Sequence, residues 1–252
     1  MRMLALFCLV SLASSVSRAE TVGATAPPAS TITWWGHAAF IIRTSNAVIA
    51  VDPWLDNPKA PKTPWPDKLD AILITHGHND HVGNAVALAK KTGAIVVGSY
   101  ELVSALGIDP AKISPMNPGG TLTVKNTVIF MTPAVHSSSL DGKYAGAAVG
   151  YVIHTPNGTI YHAGDTDAFG DMALIAERYR PTVALLPIGG RFTMDADGAT
   201  LAARLLKVPT VVPMHYGTLP MLPGTLASFR TAMASLPSVK VLDLAIGTPT
   251  KL

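Results

Sequence analysis

The chain has almost no sulfur chemistry available to it. Among 252 residues there is one cysteine, Cys8, and it falls in an apolar N-terminal run. An intramolecular disulfide is therefore excluded, and beyond that run there is no thiolate to act as nucleophile or metal ligand. Charge is also scarce: Asp, Glu, Lys and Arg make up 14% of the chain, and the formal net charge is +3. With no block of Lys or Arg in the sequence, this argues against nucleic acid as a partner. Aromatic residues amount to 6%, yet 48% of the chain is hydrophobic, so a packed core is available and disorder is excluded. The longest apolar run, Met3 to Val10, is too short for a membrane span, so no stable membrane anchor is expected. No repeat of fixed period and no second domain are visible.

The first 30 residues read as a leader and a tail. Arg2 supplies a positive start, Met3 to Val10 an apolar stretch, and Ser17-Arg18-Ala19 a small-x-small cleavage site. A signal peptide is predicted over 1–19, with Glu20 as the new N-terminus, and with it a periplasmic or secreted location. Residues 20–30 carry Gly23, Pro27 and Pro28 and read as a flexible tail. Residues 31–252 then form one domain. Loss of Arg2 and Arg18 lowers the formal charge from +3 to +1.

What is present is concentrated in one hexapeptide, His76-Gly77-His78-Asn79-Asp80-His81. It places three imidazoles and a carboxylate directly after the apolar run Ala71-Ile72-Leu73-Ile74. Imidazole nitrogen and carboxylate oxygen form the ligand set that suits zinc and its first-row neighbours. A strand that stops and delivers these groups into a loop predicts a metal nest.

Short β-branched runs alternate with helical ones along the rest of the chain. Thr31 to Trp35, Ala38 to Arg43 and Ala47 to Val51 are expected strands, with a turn at Ser45-Asn46. The segment from Trp54 to Trp65 is proline-rich and must be a loop, either a lip over a cleft or a stiff connector. Val82 to Lys91 is an expected helix stopped by Gly93. In the second half, hairpins are expected at Lys125-Asn126 and Asn157-Gly158. Helices are expected over Ala168 to Arg178, Asp197 to Leu206 and Leu226 to Ala234, with strands at Val183 to Leu186, Thr210 to Val212 and Val239 to Leu242. Hairpins come first and strand–helix units later, twice over. Two packed sheets with helices outside would cover every sheet face.

Three further residues stand where an apolar strand gives way to a loop: His136, Asp165 and His215. Chemistry gathers at such strand ends in layered α/β proteins. Beside the hexapeptide they complete a set of five imidazoles and two carboxylates, enough for two metals.

Taken in order, these motifs resemble the metallo-β-lactamase superfamily. Asp52 matches its early structural acid, His76 to His81 its signature, and His136, Asp165 and His215 its later motifs. Within the superfamily the chain looks closest to the UPF0173 and ascorbate-6-phosphate-lactonase-like metal-dependent hydrolases. The segments Trp34-Trp35-Gly36-His37-Ala38, Val51-Asp52-Pro53-Trp54-Leu55, His162-Ala163-Gly164-Asp165-Thr166 and Pro213-Met214-His215-Tyr216-Gly217 carry that likeness. The resemblance implies an α/β fold, a four-layer αββα sandwich, with metals in a cleft at one edge. It implies one metal on His76, His78 and His136, a second on Asp80, His81 and His215, and Asp165 bridging them. Asp52 is implied behind them, accepting the distal N–H of an imidazole. His37 and Arg191 are candidate substrate-binding residues, the latter because guanidinium suits a carboxylate or phosphate.

The implied activity is hydrolysis of a small-molecule ester, lactone or phosphodiester by a solvent oxygen shared between two divalent cations, with Asp80 and Asp165 the catalytic carboxylates. Zinc is the first expectation for the cations, with manganese, iron and nickel as alternatives. A β-lactam hydrolase and a di-iron redox protein of the same fold are the alternative readings. Asp165 argues against the first, since true β-lactamases lack that acid. The 37 residues after His215 leave no room for an added helical domain.

Overall fold

A computed structural model describes residues 29–252 of the protein. The predicted signal peptide, and residues 20–28 of the predicted tail, lie outside the described residues. Ser30 belongs to the fold rather than the tail. It is fully buried, its amide donates to Asn157 Oδ1 at 2.6 Å, and its carbonyl accepts from the Leu252 amide at 3.0 Å.

The first sheet is built from β1 (Thr31–Trp34), β2 (Phe40–Arg43), β3 (Val48–Val51), β4 (Ala71–Leu73), β5 (Ile95–Ser99) and β6 (Ile113–Met116). The second takes β7 (Thr121–Val124), β8 (Thr127–Pro133), β11 (Val149–Thr155), β12 (Gly158–His162), β13 (Val183–Pro187), β14 (Thr210–Met214) and β15 (Lys240–Val241). A small hairpin of β9 (Ser139–Leu140) and β10 (Lys143–Tyr144) interrupts the second sheet's run between β8 and β11. The last strand, β16 (Thr250–Lys251), returns to pair antiparallel with β1. Each sheet has seven strands, in the orders β16-β1-β2-β3-β4-β5-β6 and β15-β14-β13-β12-β11-β8-β7. Both begin as antiparallel meanders and continue as parallel strands.

Strand alternation sorts the side chains into layers. Phe40 and Ile42 of β2, Tyr151 and Ile153 of β11, and Leu185 of β13 face the core between the sheets. Their neighbours Ile41, Val152 and Ala184 face outward. The reason is the two-residue period of a strand, which sends successive side chains to opposite faces. Each fully buried side chain of this size contributes about 1.5–3 kcal/mol. The outer face of the first sheet is covered by α2 (Ala85–Thr92) and α3 (Tyr100–Ala105). That of the second is covered by α4 (Met172–Tyr179), α5 (Ala196–Leu206) and α6 (Leu226–Met233). Three apolar layers between four layers of structure make an αββα sandwich. Tyr151 ties the two sheets together, its hydroxyl donating 2.8 Å to the Ile74 carbonyl.

Several expected boundaries shift. The predicted helix over Val82 to Lys91 is two pieces, a single turn α1 (Asn79–Val82) and α2, broken at Gly83. Gly83 has φ of +43°, and a Cβ there would sit 2.6 Å from the Pro53 carbonyl, so glycine is needed to let the two chains touch. The expected helix from Ala168 begins only at Met172, and the Asn157-Gly158 turn is centred one residue earlier, with Gly158 already paired to Thr155. The Trp54 to Trp65 segment folds as a connector, because Trp65 is buried with its ring 4.6 Å from that of Trp35.

Candidate metal centre

The strands β1, β3, β4, β8, β12 and β14 all run toward one edge of the sandwich, and the loop after each delivers part of the site there. They supply His37, Asp52, the His76 to His81 hexapeptide, His136, Asp165 and His215 in turn. Three of these residues, His37, Asp52 and His215, have positive φ of 54°, 44° and 58°. Left-handed backbone at a non-glycine residue is uncommon, and its clustering here is the strain expected of a functional site. Gly189 allows the close packing behind His215. A Cβ at Gly189 would fall 2.3 Å from the His215 carbonyl oxygen.

Two sets of donor atoms converge. His76, His78 and His136 form one, and Asp80, His81 and His215 form the other together with His37; within each set the donor atoms lie inside 4.8 Å of one another. Asp165 stands between them. Its Oδ2 lies 3.3 Å from His81 Nε2, 3.0 Å from His215 Nε2 and 3.6 Å from His136 Nε2. His81 Nε2, His215 Nε2 and Asp165 Oδ1 are buried and have no hydrogen-bond partner of proper geometry among the described residues. Buried nitrogens and carboxylate oxygens facing one another without such bonds suit a divalent cation, which accepts lone pairs from all of them.

A hydrogen-bond frame holds these groups from behind. Asp52 is fully buried; its Oδ1 accepts from the Thr75 amide at 2.8 Å, and its Oδ2 accepts from the Thr75 hydroxyl at 2.7 Å and from His81 Nδ1 at 2.8 Å. Because the Thr75 proton is given to Asp52, its oxygen is free to accept from His76 Nδ1, 3.0 Å away. This assignment of protons follows from the network. The network turns Nε2 of both rings toward the donor sets, that of His76 against His78 Nδ1 at 2.9 Å and that of His81 toward Asp165 Oδ2 at 3.3 Å. On the other side, the His37 ring is completely buried, with Nδ1 against the Thr218 hydroxyl and Nε2 donating 3.0 Å to Asp80 Oδ2.

The electrostatics follow from burial and from the imidazoles facing the carboxylates. Burial pushes the His37 ring down to about 4, so it is neutral at pH 7. Burial, reinforced by neighbouring rings, also keeps His76 and His136 below the ordinary histidine range, in the neutral form that binds metal. For Asp165, burial favours the neutral acid, but His215 and His81 outweigh it and hold the carboxyl well below its usual range. Burial likewise opposes ionisation of Asp80, and the His37 hydrogen bond and His81 reverse that. His81 is the exception among the histidines: burial lowers it, but Asp165 and Asp52 raise it well above its usual value.

The chain is similar to known proteins. A family model described as the beta-lactamase superfamily domain matches residues 31–215. A UPF0173 metal-dependent hydrolase of Myxococcus xanthus (strain DK1622) is 58% identical over 203 residues, spanning 77% of this chain and 73% of that protein. The chain belongs to the UPF0173 metal-dependent hydrolases of the metallo-β-lactamase superfamily. A UPF0173 hydrolase of Pyrobaculum arsenaticum (strain DSM 13514 / JCM 11321 / PZ6) is 44% identical over 228 residues, covering 88% of this chain and 99% of the relative. Among solved structures, the metallo hydrolase Igni18 of Ignicoccus hospitalis KIN4/I superposes with a TM-score of 0.80 at 36% identity, covering 88% of this chain and 98% of that one.

In this UPF0173 hydrolase the cleft is a cavity of about 390 Å³ lined by His78, Asp80, His136, Asp165 and His215, together with Ser137 and Phe192. Two sequence expectations change. His37, expected to meet substrate, is sealed beneath the cleft with both ring nitrogens engaged, so it touches Asp80 instead. Arg191, expected to hold a substrate anion, is exposed and lies 5.6 Å over the Phe192 ring, and it is Phe192 that lines the cavity. Neither Thr75 nor Thr218 stands out in the sequence. A threonine beside a metal-binding histidine carries no distinctive spacing, and its role depends on where the side-chain hydroxyl points.

Proposed function

We propose that this metal-dependent hydrolase is binuclear and cleaves a small-molecule ester, lactone or phosphodiester. In this reading His76, His78 and His136 hold one divalent cation, Asp80, His81 and His215 hold the other, and Asp165 serves both. The observation that carries it is the Asp165 carboxylate set within 3.6 Å of histidines from both donor sets. When bound, paired divalent cations lower the pKa of a coordinated water toward neutrality and polarise the substrate oxygen. The chain's residues do the rest. Asp52 and Thr75 fix the orientation of His81 and His76, and His37 fixes Asp80. Asp80, partly exposed in the cleft, is held ionised by the His37 hydrogen bond and by His81, the form in which a carboxylate binds a cation.

The donor set of imidazole and carboxylate suits zinc first, and also manganese, iron or nickel. The predicted leader adds an exported location to the proposal. The test is turnover of a panel of lactones, esters, phosphodiesters and β-lactams by protein whose metal content and absorption spectrum have been measured. Colourless protein with two metals per chain that hydrolyses esters or phosphodiesters supports the reading. A coloured iron protein that hydrolyses none of them, or one whose main substrate is a β-lactam, would replace it.

A further inference from the structure

The walls of the cleft say what kind of substrate fits beside the donor sets. Apart from the histidines and carboxylates already described, its lining is Ser137 and Phe192. No lysine or arginine lines the cavity among the described residues. A site built around an anionic group normally supplies a fork or a point charge for it. Here the protein's own charges in the cleft are the carboxylates of Asp80 and Asp165, and the reading above commits both to cations, so beyond those cations the walls offer an anion no partner.

Phe192 is the apolar feature of this lining, and it is left 49% exposed. Val135, next to His136, is 52% exposed. Single exposed apolar residues are ordinary, but an exposed ring on the wall of a polar cleft marks a place where a ligand can be covered. The loop that presents Phe192 is stiff. Gly190 N donates to Met194 O at 3.0 Å, Thr193 N to Gly190 O at 2.9 Å, and Met194 N to Thr166 O at 3.3 Å. Met194 is buried in the outer core, and Asp195 caps α5 by accepting from Gly198 N at 2.9 Å. The ring therefore projects from a closed turn anchored on both sides, adjacent to the Asp165 loop through Thr166.

We infer that Phe192 is a specificity-determining residue, and that the substrate is an uncharged ester or lactone whose apolar group packs on its ring. This rests on the reading of the cleft as a hydrolytic metal site and narrows it, since it sets phosphodiesters below neutral carbonyl compounds. Ser137, exposed beside His136, is the remaining polar wall and can donate to such a carbonyl compound without requiring charge.

The experiment uses the full chain with its metals quantified. Benzohydroxamate and acetohydroxamate, two chelating carbonyl compounds that carry the same charge when bound and differ in one ring, are titrated by calorimetry. The native protein is expected to bind benzohydroxamate about tenfold more tightly, as covering an exposed aromatic ring implies. Phe192→Ala should erase that preference while leaving acetohydroxamate affinity and the melting temperature unchanged, and Phe192→Leu should restore part of it. In turnover, F192A should raise KM for a 4-nitrophenyl ester about tenfold at constant kcat. Equal affinity for both hydroxamates in the native protein, or a preference that survives F192A, overturns the role of Phe192. Faster turnover of bis(4-nitrophenyl) phosphate than of the ester overturns the neutral substrate while leaving the binuclear hydrolase standing. Failure of metal-loaded protein to bind either hydroxamate overturns the cleft as a substrate site, and this inference with it.

Discussion

His37 and Asp80 are joined by a hydrogen bond of 3.0 Å between Nε2 and Oδ2, although 43 residues separate them in the chain. The same His37 accepts, at its backbone carbonyl, the amide of His215 at 3.1 Å and the indole N–H of Trp34 at 2.9 Å. One buried residue thus positions two members of the Asp80, His81 and His215 donor set. Because its ring is neutral, it has a single N–H; with that N–H donating from Nε2 to Asp80, the Thr218 hydroxyl must donate to Nδ1.

Thr218→Val removes that hydroxyl at nearly constant volume and frees His37 to take the wrong tautomer. We expect metal affinity at the Asp80 set to fall roughly tenfold to a hundredfold, with the His76 set unchanged. Competition with a chromophoric chelator, read as two binding steps, measures this. Equal weakening of both steps would show that Thr218 acts on the fold and not on Asp80.

Asp52 and Thr75 make the complementary test. Thr75→Val breaks the acceptor for His76 Nδ1 but leaves the direct bond from His81 to Asp52. It should weaken the His76 set alone. Asp52→Asn removes the charged acceptor that holds His81 directly and His76 through the Thr75 hydroxyl, and should weaken both steps, again about tenfold to a hundredfold each. Identical behaviour of the two variants would remove the distinction drawn between them.

The parts of the fold that could be read from sequence were those with a strong local signal. β4 is a buried apolar run ending in the His76 cluster; for α5 the sequence offers Asp195 or Asp197 as the cap, and Asp195 is the one that accepts from the Gly198 amide. The two-residue strands β9, β10 and β16 are defined by their partners and carry too few residues to show a period, whereas β15 falls inside the strand expected over Val239 to Leu242. β6 was hidden by Pro115, which a sheet tolerates at an edge, and β6 is an edge strand. At the site, the same difference holds. Histidines in a fixed spacing announce themselves, but whether His37 faces the cleft or lies beneath it depends on its left-handed backbone, and hence on the turn between β1 and β2.

Asp165→Asn is the direct test of a shared carboxylate. The amide keeps the volume but loses the charge that faces His81, His215 and His136. Both metal-binding steps should weaken, and most of the turnover should be lost. Elemental analysis after dialysis reads the first effect and initial rates read the second. A variant that keeps two metals and full turnover would show that Asp165 does not bridge.

Acid sensitivity offers a test away from the proposed ligands. His162 is fully buried, donating from Nε2 to the Ala38 carbonyl at 3.0 Å and accepting at Nδ1 from the Gly164 amide at 3.1 Å. Burial keeps its pKa below the ordinary value of 6.5. The unfolded chain therefore takes up a proton at this residue near pH 6.5 that the folded chain refuses until lower pH. Stability must fall as pH drops below that value, by at most about 1.4 kcal/mol per pH unit for this one group. His81 has the opposite sign: its raised pKa contributes stability below pH 6.5 that is lost as pH rises through the folded value. Subtracting a His162→Gln variant isolates the first effect, since His81 is present in both proteins. Urea unfolding of chelator-treated protein from pH 7.5 to 5.5 should show a shallower acid loss in the variant. Parallel curves would mean that His162 is protonated in the folded chain, and the Gly164 amide would then have to be held by another acceptor.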